Sequence, residues 1–277
     1  MQLRLGSRRF DVSHRALVMG VLNRTPDSFH DRGAYFKLDD LLCQAERLVT
    51  DGADLLDVGG RAAGVGTGQV SEAEELDRVV STIAELRRRF DVPLSVDTWR
   101  ASVAAAAFEA GALMGNDMSG FSDPGYLPTA AAAGAAVVAT HIRLSPRAPD
   151  PDPVYVDVVA DVAASLQTLA RRAQAAGIPP ERIVVDAGLD LGKTWRQSVR
   201  LLAASGTLAA LGYPLLLAAS NKIFLGRVLG LERHERDYAT VAACALGVAR
   251  GARVLRVHDA LGARQVADLF AAVLGAE

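Results

Sequence analysis

Eight short apolar runs separated by helical patterns predict an α/β fold, a single (β/α)8 (TIM) barrel spanning residues 1–277 as one domain. Three observations point there. The runs are continuously apolar instead of alternating, as in parallel strands buried on both faces. Helical segments and no evident linker separate them, which favours a closed barrel over an open sheet. Half of the 277 residues are apolar, enough for the large core such a barrel needs.

In chain order, the opening LRLGSRRFDV alternates around Gly6-Ser7 and reads as a β-hairpin closing the barrel bottom. Strands are expected at 16–23, 55–60, 93–98, 113–118, 136–141, 183–188, 214–220 and 252–258. Ser71 and Glu74 have the spacing of a capping box, which opens a helix over 71–90. Val158, Val159, Val162, Leu166 and Leu169 form one apolar face of a helix within 156–177. Gly177 ends that helix and Pro179-Pro180 prevents its return. The segment 143–155, with Pro146, Pro149, Pro151 and Pro153, reads as a loop on the upper rim.

Composition excludes several function classes. A formal net charge of −2 argues against nucleic acid or an acidic membrane as partner. The basic run Arg87-Arg88-Arg89 ends a charged helix and reads as a solvated face. The N-terminus is too polar for a signal peptide, and no apolar run reaches the roughly 18 residues of a membrane span. The expectation is a soluble, cytoplasmic chain with no membrane partner. Cys43 and Cys244 sit among small apolar residues and read as two buried, reduced thiols.

Chemistry in such a barrel sits at the C-terminal ends of the strands. Here those ends carry Asn23, Asp57, Asp97, Asn116-Asp117, His141, Asp186, Ser220-Asn221-Lys222, and Arg256 with His258. Buried parallel strands have no structural need of this. Asn23, Arg256 and His258 fall on the first and last strands, neighbours in a closed barrel, and suit an anion such as phosphate or pyrophosphate. Asp97, Asn116 and Asp186 suit a ligand edge rich in N–H donors, such as a 2-amino-pyrimidinone, with Lys222 reaching the ring from the other side. A carboxylate metal site is the alternative. The stretch GLDLGKT superficially resembles a phosphate loop, but Gly188 stands one residue too close to the Gly-Lys pair and Ala187 occupies the required position.

Seven ordered motifs carry a family resemblance across essentially the whole chain: VLNRTPDSFHDRG (21–33), DVGG (57–60), SVDTWR (95–100), NDMSG (116–120), DAGLDLGK (186–193), SNK (220–222) and RVHD (256–259). Together they resemble the dihydropteroate synthase family. The resemblance implies a barrel that joins a pterin-methyl pyrophosphate to 4-aminobenzoate, releasing pyrophosphate with Mg2+. It places the pterin on Asp97, Asn116, Asp186 and Lys222. It places pyrophosphate and Mg2+ on Asn23, Arg256 and His258, with Asn23 as the metal ligand, and gives Asp31 a site-closing role. It also implies a homodimer through the last helices.

The departures gather on the aminobenzoate side. The family's second loop, Gly-Gly-Glu-Ser-Thr-Arg-Pro-Gly, is here GGRAAGVG, with Arg61 three positions before the family's Arg. Ser-Arg-Lys-Ser has become Ser220-Asn221-Lys222-Ile223, and the sixth-strand motif carries Ala187 for Pro, Asp190 for Gly and Leu191 for an aromatic residue. Arg61, Ser220 and Asn221 are the residues left to meet aminobenzoate. The pattern resembles the divergent second synthase copy of some high-GC bacteria. Three readings stand: an active synthase with Arg61 as relocated guanidinium, a pterin-binding protein without catalysis, and transfer chemistry on another pterin.

Overall fold

The computed structural model describes residues 1–24, 37–61 and 70–275. A hairpin of β1 (Gln2–Leu5) and β2 (Arg8–Asp11) precedes β3 (Leu17–Asn23), α1 (Leu38–Thr50), β4 (Leu55–Gly59), α2 (Glu72–Arg89), β5 (Leu94–Asp97), α3 (Ala101–Ala110), β6 (Met114–Asp117) and α4 (Tyr126–Ala132). Then come β7 (Ala136–Thr140), α5 (Val158–Ala175), β8 (Ile183–Asp186), α6 (Trp195–Ala203), α7 (Ser205–Ala209), β9 (Leu215–Leu217), α8 (Ile223–Leu229), α9 (Asp237–Ala249), β10 (Ala252–Val257) and α10 (Ala260–Leu274). Strands β3 to β10 close into a barrel in sequence order, β10 pairing β3. The expected (β/α)8 barrel with its N-terminal hairpin is the fold observed.

Alternation along each strand divides the molecule into two apolar clusters. One parity faces the helices: Val18, Leu56, Val58, Val96, Val137, Val185 and Leu255 pack with the helix faces. The other faces the axis, where Leu17, Met19, Leu55, Met114, Val138, Val184, Leu216 and Val254 meet Leu3, Leu5 and Val12 of the hairpin segment. The lower barrel is therefore plugged by apolar side chains, and the same inward parity turns polar toward the strands' C-terminal ends.

Local signals act largely as read. The Ser71 side chain accepts from the Glu74 N–H at 3.2 Å. The reciprocal half of that capping box is not the one formed, because the Glu74 carboxylate pairs with Arg78 one turn on. The 143–155 loop is ordered by a two-pronged Arg143–Asp150 pair, both contacts 2.6 Å, and by Tyr155 Oη donating to Gly192 O at 2.9 Å. The expectation for the thiols is half corrected: Cys244 is buried, but Cys43 is exposed. The buried stripe of α1 runs through Leu41, Leu42, Ala45 and Leu48, and Cys43 lies off it. Among the described residues no helix is long and apolar enough to cross a membrane.

Candidate functional site

Register builds the site. Asn23 stands opposite Gly59, Gly59 opposite Asp97, and Asp97 opposite Asn116, a row across β3 to β6 at the barrel mouth. Gly59 is small for a reason: a Cβ there would stand 2.9 Å from Asn23 Oδ1 and 3.9 Å from Asp97 Oδ2. Its absence lets the amide and the carboxylate converge above β4.

Arg256 crosses this mouth. Its Nε donates to Asp57 Oδ2 and its Nη2 to Asp97 Oδ2, each at 2.7 Å. Asn116 Nδ2 donates to the same Asp57 oxygen at 2.9 Å. Burial raises the Asp97 carboxyl above the usual carboxylate range; Arg256 opposes the shift and Asp57 adds to it. The anion site expected from Asn23, Arg256 and His258 is thus not preformed as three convergent donors. Arg256 is held by two carboxylates, and His258 Nδ1 lies 2.9 Å from Ser220 Oγ on β9's exit. A guanidinium and two acids at one mouth pair with one another, which sequence spacing did not foretell.

On the opposite wall, Asp186 ends β8. Its Oδ1 accepts from the Gly188 N–H at 2.9 Å, while burial raises its carboxyl and the Gly188 bond, Lys222, Lys193 and Arg256 oppose this. Lys222 Nζ donates to Leu189 O at 2.9 Å, which brings it over the same turn. Gly188 has φ +64°, and a Cβ on it would lie 2.0 Å from His141 O. The turn therefore crosses tightly over the exit of β7.

Lys193 is buried beneath that turn, donating at 2.9 Å to His141 Nδ1, Gly188 O and Leu191 O. Burial brings its amine down to about 7. Burial, with Lys193 adding to it, lowers His141 to about 3, so the imidazole is neutral and its Nδ1 accepts. The loop binds its own lysine, the opposite of an open phosphate cradle. Asp190, where the family has Gly, adopts φ +65°, a conformation Asp tolerates better than most residues. Its Oδ2 accepts from Phe224 N at 3.3 Å, supplying α8 with the N-terminal cap that Lys222 does not.

The aminobenzoate side differs most from the sequence-based picture. Arg61 is not a free arm. Its Nη1 pairs with Glu75 Oε2 at 3.1 Å, and its Cζ lies 3.9 Å from the Trp99 ring centroid. Glu75 is fully buried and also takes Arg100 at 2.9 Å and Thr98 Oγ1 at 2.6 Å. Asn221 serves the turn before α8: at φ +56° its N–H donates to Thr240 Oγ1 at 3.1 Å and its carbonyl accepts from Arg236 Nη1 at 3.1 Å. Its side chain is buried, and its backbone holds the turn that opens α8. Asp31, Gly64 and Val65 lie outside the described residues.

The sequence placed Asp57 at a strand end without giving it a role, and Glu75 went unnoticed. Asp57 carried a readable signal, an acid on the inward parity two residues before the Gly59 row. Glu75 carried none, since its burial follows from Arg61 and Arg100 arriving from two other segments.

The orphaned polar atoms Asp57 Oδ1, Ser95 Oγ and Thr140 Oγ1 share the inward parity of the mouth. For Mg2+, the donor set is lean. Asn23 Oδ1 is the amide oxygen at the row's end, and among the described residues no group of three His, Cys, Asp or Glu side chains could hold a metal. This fits a hard cation that takes most of its ligands from substrate phosphates and water.

Comparison with known proteins agrees with this geometry. The family model for pterin-binding enzymes matches residues 19–258. Dihydropteroate synthase of Synechocystis sp. is 38% identical over 95% of this chain and 92% of its own length. The inactive dihydropteroate synthase 2 of Mycobacterium leprae is 40% identical over 95% and 92%. The crystal structure of Yersinia pestis dihydropteroate synthase with a sulfonamide drug superposes with a TM-score of 0.94 at 36% identity, covering all of both chains. The row of strand-end residues, the seven motifs and the whole-length match lead to one assignment: the chain belongs to the pterin-binding enzyme family, with dihydropteroate synthases and their inactive second copies among its relatives.

Proposed function

We propose that the barrel mouth binds a pterin carrying a 6-methylene pyrophosphate, with Asp97, Asn116, Asp186 and Lys222 on the ring and Asn23, Arg256 and His258 on the pyrophosphate. The observation that carries this is the set of acceptors at the ends of β5, β6 and β8, with Lys222 drawn over the turn that follows β8, the complement of an amino-pyrimidinone edge. Asn23 would be the protein's donor to Mg2+, which would neutralise charge on the leaving pyrophosphate. A benzylic-type methylene on an electron-rich ring needs its leaving group stabilised more than it needs a base, and this chain's groups suit that task. Condensation with 4-aminobenzoate is the second reading, favoured by the retained Asn23, Arg256 and His258; a pterin binder alone has no use for a pyrophosphate clamp.

Calorimetry with 6-hydroxymethylpterin tests the ring site. Asp186→Ala leaves ligand donors unpaired, a loss of about 1–3 kcal/mol, and should weaken binding about tenfold or more. No binding by the unaltered protein would sink the reading.

The site should also bind with release of a proton. N–H donors favour ionised Asp97, whose carboxyl burial has pushed up to about 7. Affinity should therefore rise with pH below about 7, by at most ~tenfold per unit, and level off above. A titration series from mildly acidic to mildly basic buffer checks this; a slope that Asp97→Asn leaves intact would assign the proton elsewhere.

We also propose a homodimer through the last helices. Val228 and Leu229 of α8, Tyr238 and Leu246 of α9, and Leu261, Leu269 and Val273 of α10 are exposed. Large apolar side chains exposed on three successive helices suit an association surface. Light scattering should give twice the chain mass, and Leu269→Lys should shift it toward the monomer; a monomeric native protein would refute the interface.

A further inference from the structure

Asp57 lies on β4 at the inward parity, fully buried, and its Oδ2 receives two donors from distant segments, Arg256 Nε at 2.7 Å and Asn116 Nδ2 at 2.9 Å. A side-chain amide is nearly symmetric in shape, so packing alone does not decide whether its NH2 or its oxygen faces a ligand. A carboxylate decides it. Paired with Arg256, Asp57 offers lone pairs only, so the NH2 of Asn116 must turn toward it and the amide oxygen is left for the cavity. We infer that Asp57 is a positioning residue that sets the donor–acceptor sense of Asn116, and through it the preference of the mouth for a 2-amino over a 2-oxo pteridine. The inference rests on the pterin reading for its ligand, and on the Asp57–Asn116–Arg256 geometry for its mechanism.

The same contact explains why Asp57 matters without touching ligand. Its second oxygen is unpartnered in the structure, and Ser95, directly opposite on β5, has its hydroxyl unpartnered too. Arg256 bridges Asp57 to Asp97, so the residue fixes the direction of two groups at once. With Asp57 replaced by leucine, nothing at that point accepts from Asn116 and neither sense of its amide is enforced. A 2-oxo ring, which presents a carbonyl where the pterin presents an amino group, then finds a donor.

The experiment compares 6-hydroxymethylpterin with its 2-oxo analogue, a 6-hydroxymethyl-lumazine, by calorimetry on the native protein, Asp57→Leu, and the double variant Asp57→Leu/Asn116→Asp. The native protein should prefer the pterin, and Asp57→Leu should shrink that preference at least tenfold. The double variant should restore it, because a carboxylate on β6 offers the mouth lone pairs only. A purely structural role predicts equal weakening of both ligands and an unchanged ratio, which would overturn the inference. So would a double variant that stays unselective, and that variant decides the matter if the single one fails to fold. In ligand-free protein, one Asn116 side-chain amide proton should resonate downfield in nitrogen-edited NMR and lose that shift on Asp57→Leu. Binding of neither ligand by the native protein defeats the pterin reading, while this resonance still judges the positioning role, and an unshifted proton rejects it.

Discussion

Gly188→Ala should cost this protein more stability than almost any other single methyl group. The native φ of +64° already penalises an L side chain by roughly 1 kcal/mol or more. The added Cβ would lie 2.0 Å from His141 O and 3.1 Å from the carbonyl carbon behind it, and these are backbone atoms that no rotamer change can move. Relief requires β7 and β8 to part where His141 N–H bonds Asp186 O at 2.9 Å. Overpacking of this kind costs about 1–3 kcal/mol or more on top of the conformational term. A total above ~3 kcal/mol corresponds to a fall in Tm of roughly 10 °C for a chain of this size. The turn also carries the Gly188 N–H to Asp186 and the Leu189 carbonyl to Lys222, so pterin affinity should fall with it. Thermal unfolding followed by circular dichroism checks the first part. A Tm within about 2 °C of native, well short of the shift that several kcal/mol implies, would show that the crossing is looser than described.

Sulfonamides and 4-aminobenzoate should bind at least about a hundredfold more weakly than they do to a synthase bearing the family's second-loop Arg and strand-seven Ser. At those positions this chain has Gly64 and Ile223, with Leu191 for the aromatic residue. Ile223 is exposed on the first turn of α8 and offers no hydroxyl. Arg61, the substitute the sequence suggests, has 8% of its side chain exposed and is committed to fully buried Glu75. Pulling it away would leave a buried carboxylate with Arg100 and the Thr98 hydroxyl. Each lost charge-assisted hydrogen bond to the acidic tail costs about 1.5–3 kcal/mol, and two of them amount to about a hundredfold or more. The measurement is a sulfonamide titration of protein saturated with pterin and pyrophosphate. Micromolar binding that survives Arg61→Ala would refute the weakened wall. Micromolar binding that Arg61→Ala abolishes would instead restore Arg61 as the relocated guanidinium and favour condensation.

The barrel was legible because burial on both faces writes itself as continuous apolar runs. Even the strand ends were legible, since a polar residue at the end of such a run has few structural uses. Asn23, Asp97 and Asn116 fall in one register row across Gly59. What spacing cannot encode is where a long side chain goes once the barrel closes. Arg256 reaches Asp57 across 199 residues of sequence, and that contact turns an expected open anion site into a closed ion-pair network. Lys193 shows the same limit: the sequence excluded a phosphate loop by counting residues, but the burial of its amine under three acceptors required the fold. Asp190 and Asn221 looked like losses of family chemistry, yet both occupy left-handed backbone positions and serve the turn and cap around α8.

The most direct test of the account is a crystal structure of the protein with 6-hydroxymethylpterin pyrophosphate. The pterin should lie within the barrel mouth, its amino-pyrimidinone edge toward Asp97, Asn116 and Asp186, Lys222 on the ring's opposite side, and its phosphates between Asn23 and His258 beside Arg256. A ligand bound elsewhere, or a ring turned so that its carbonyl meets Asp186, would contradict it.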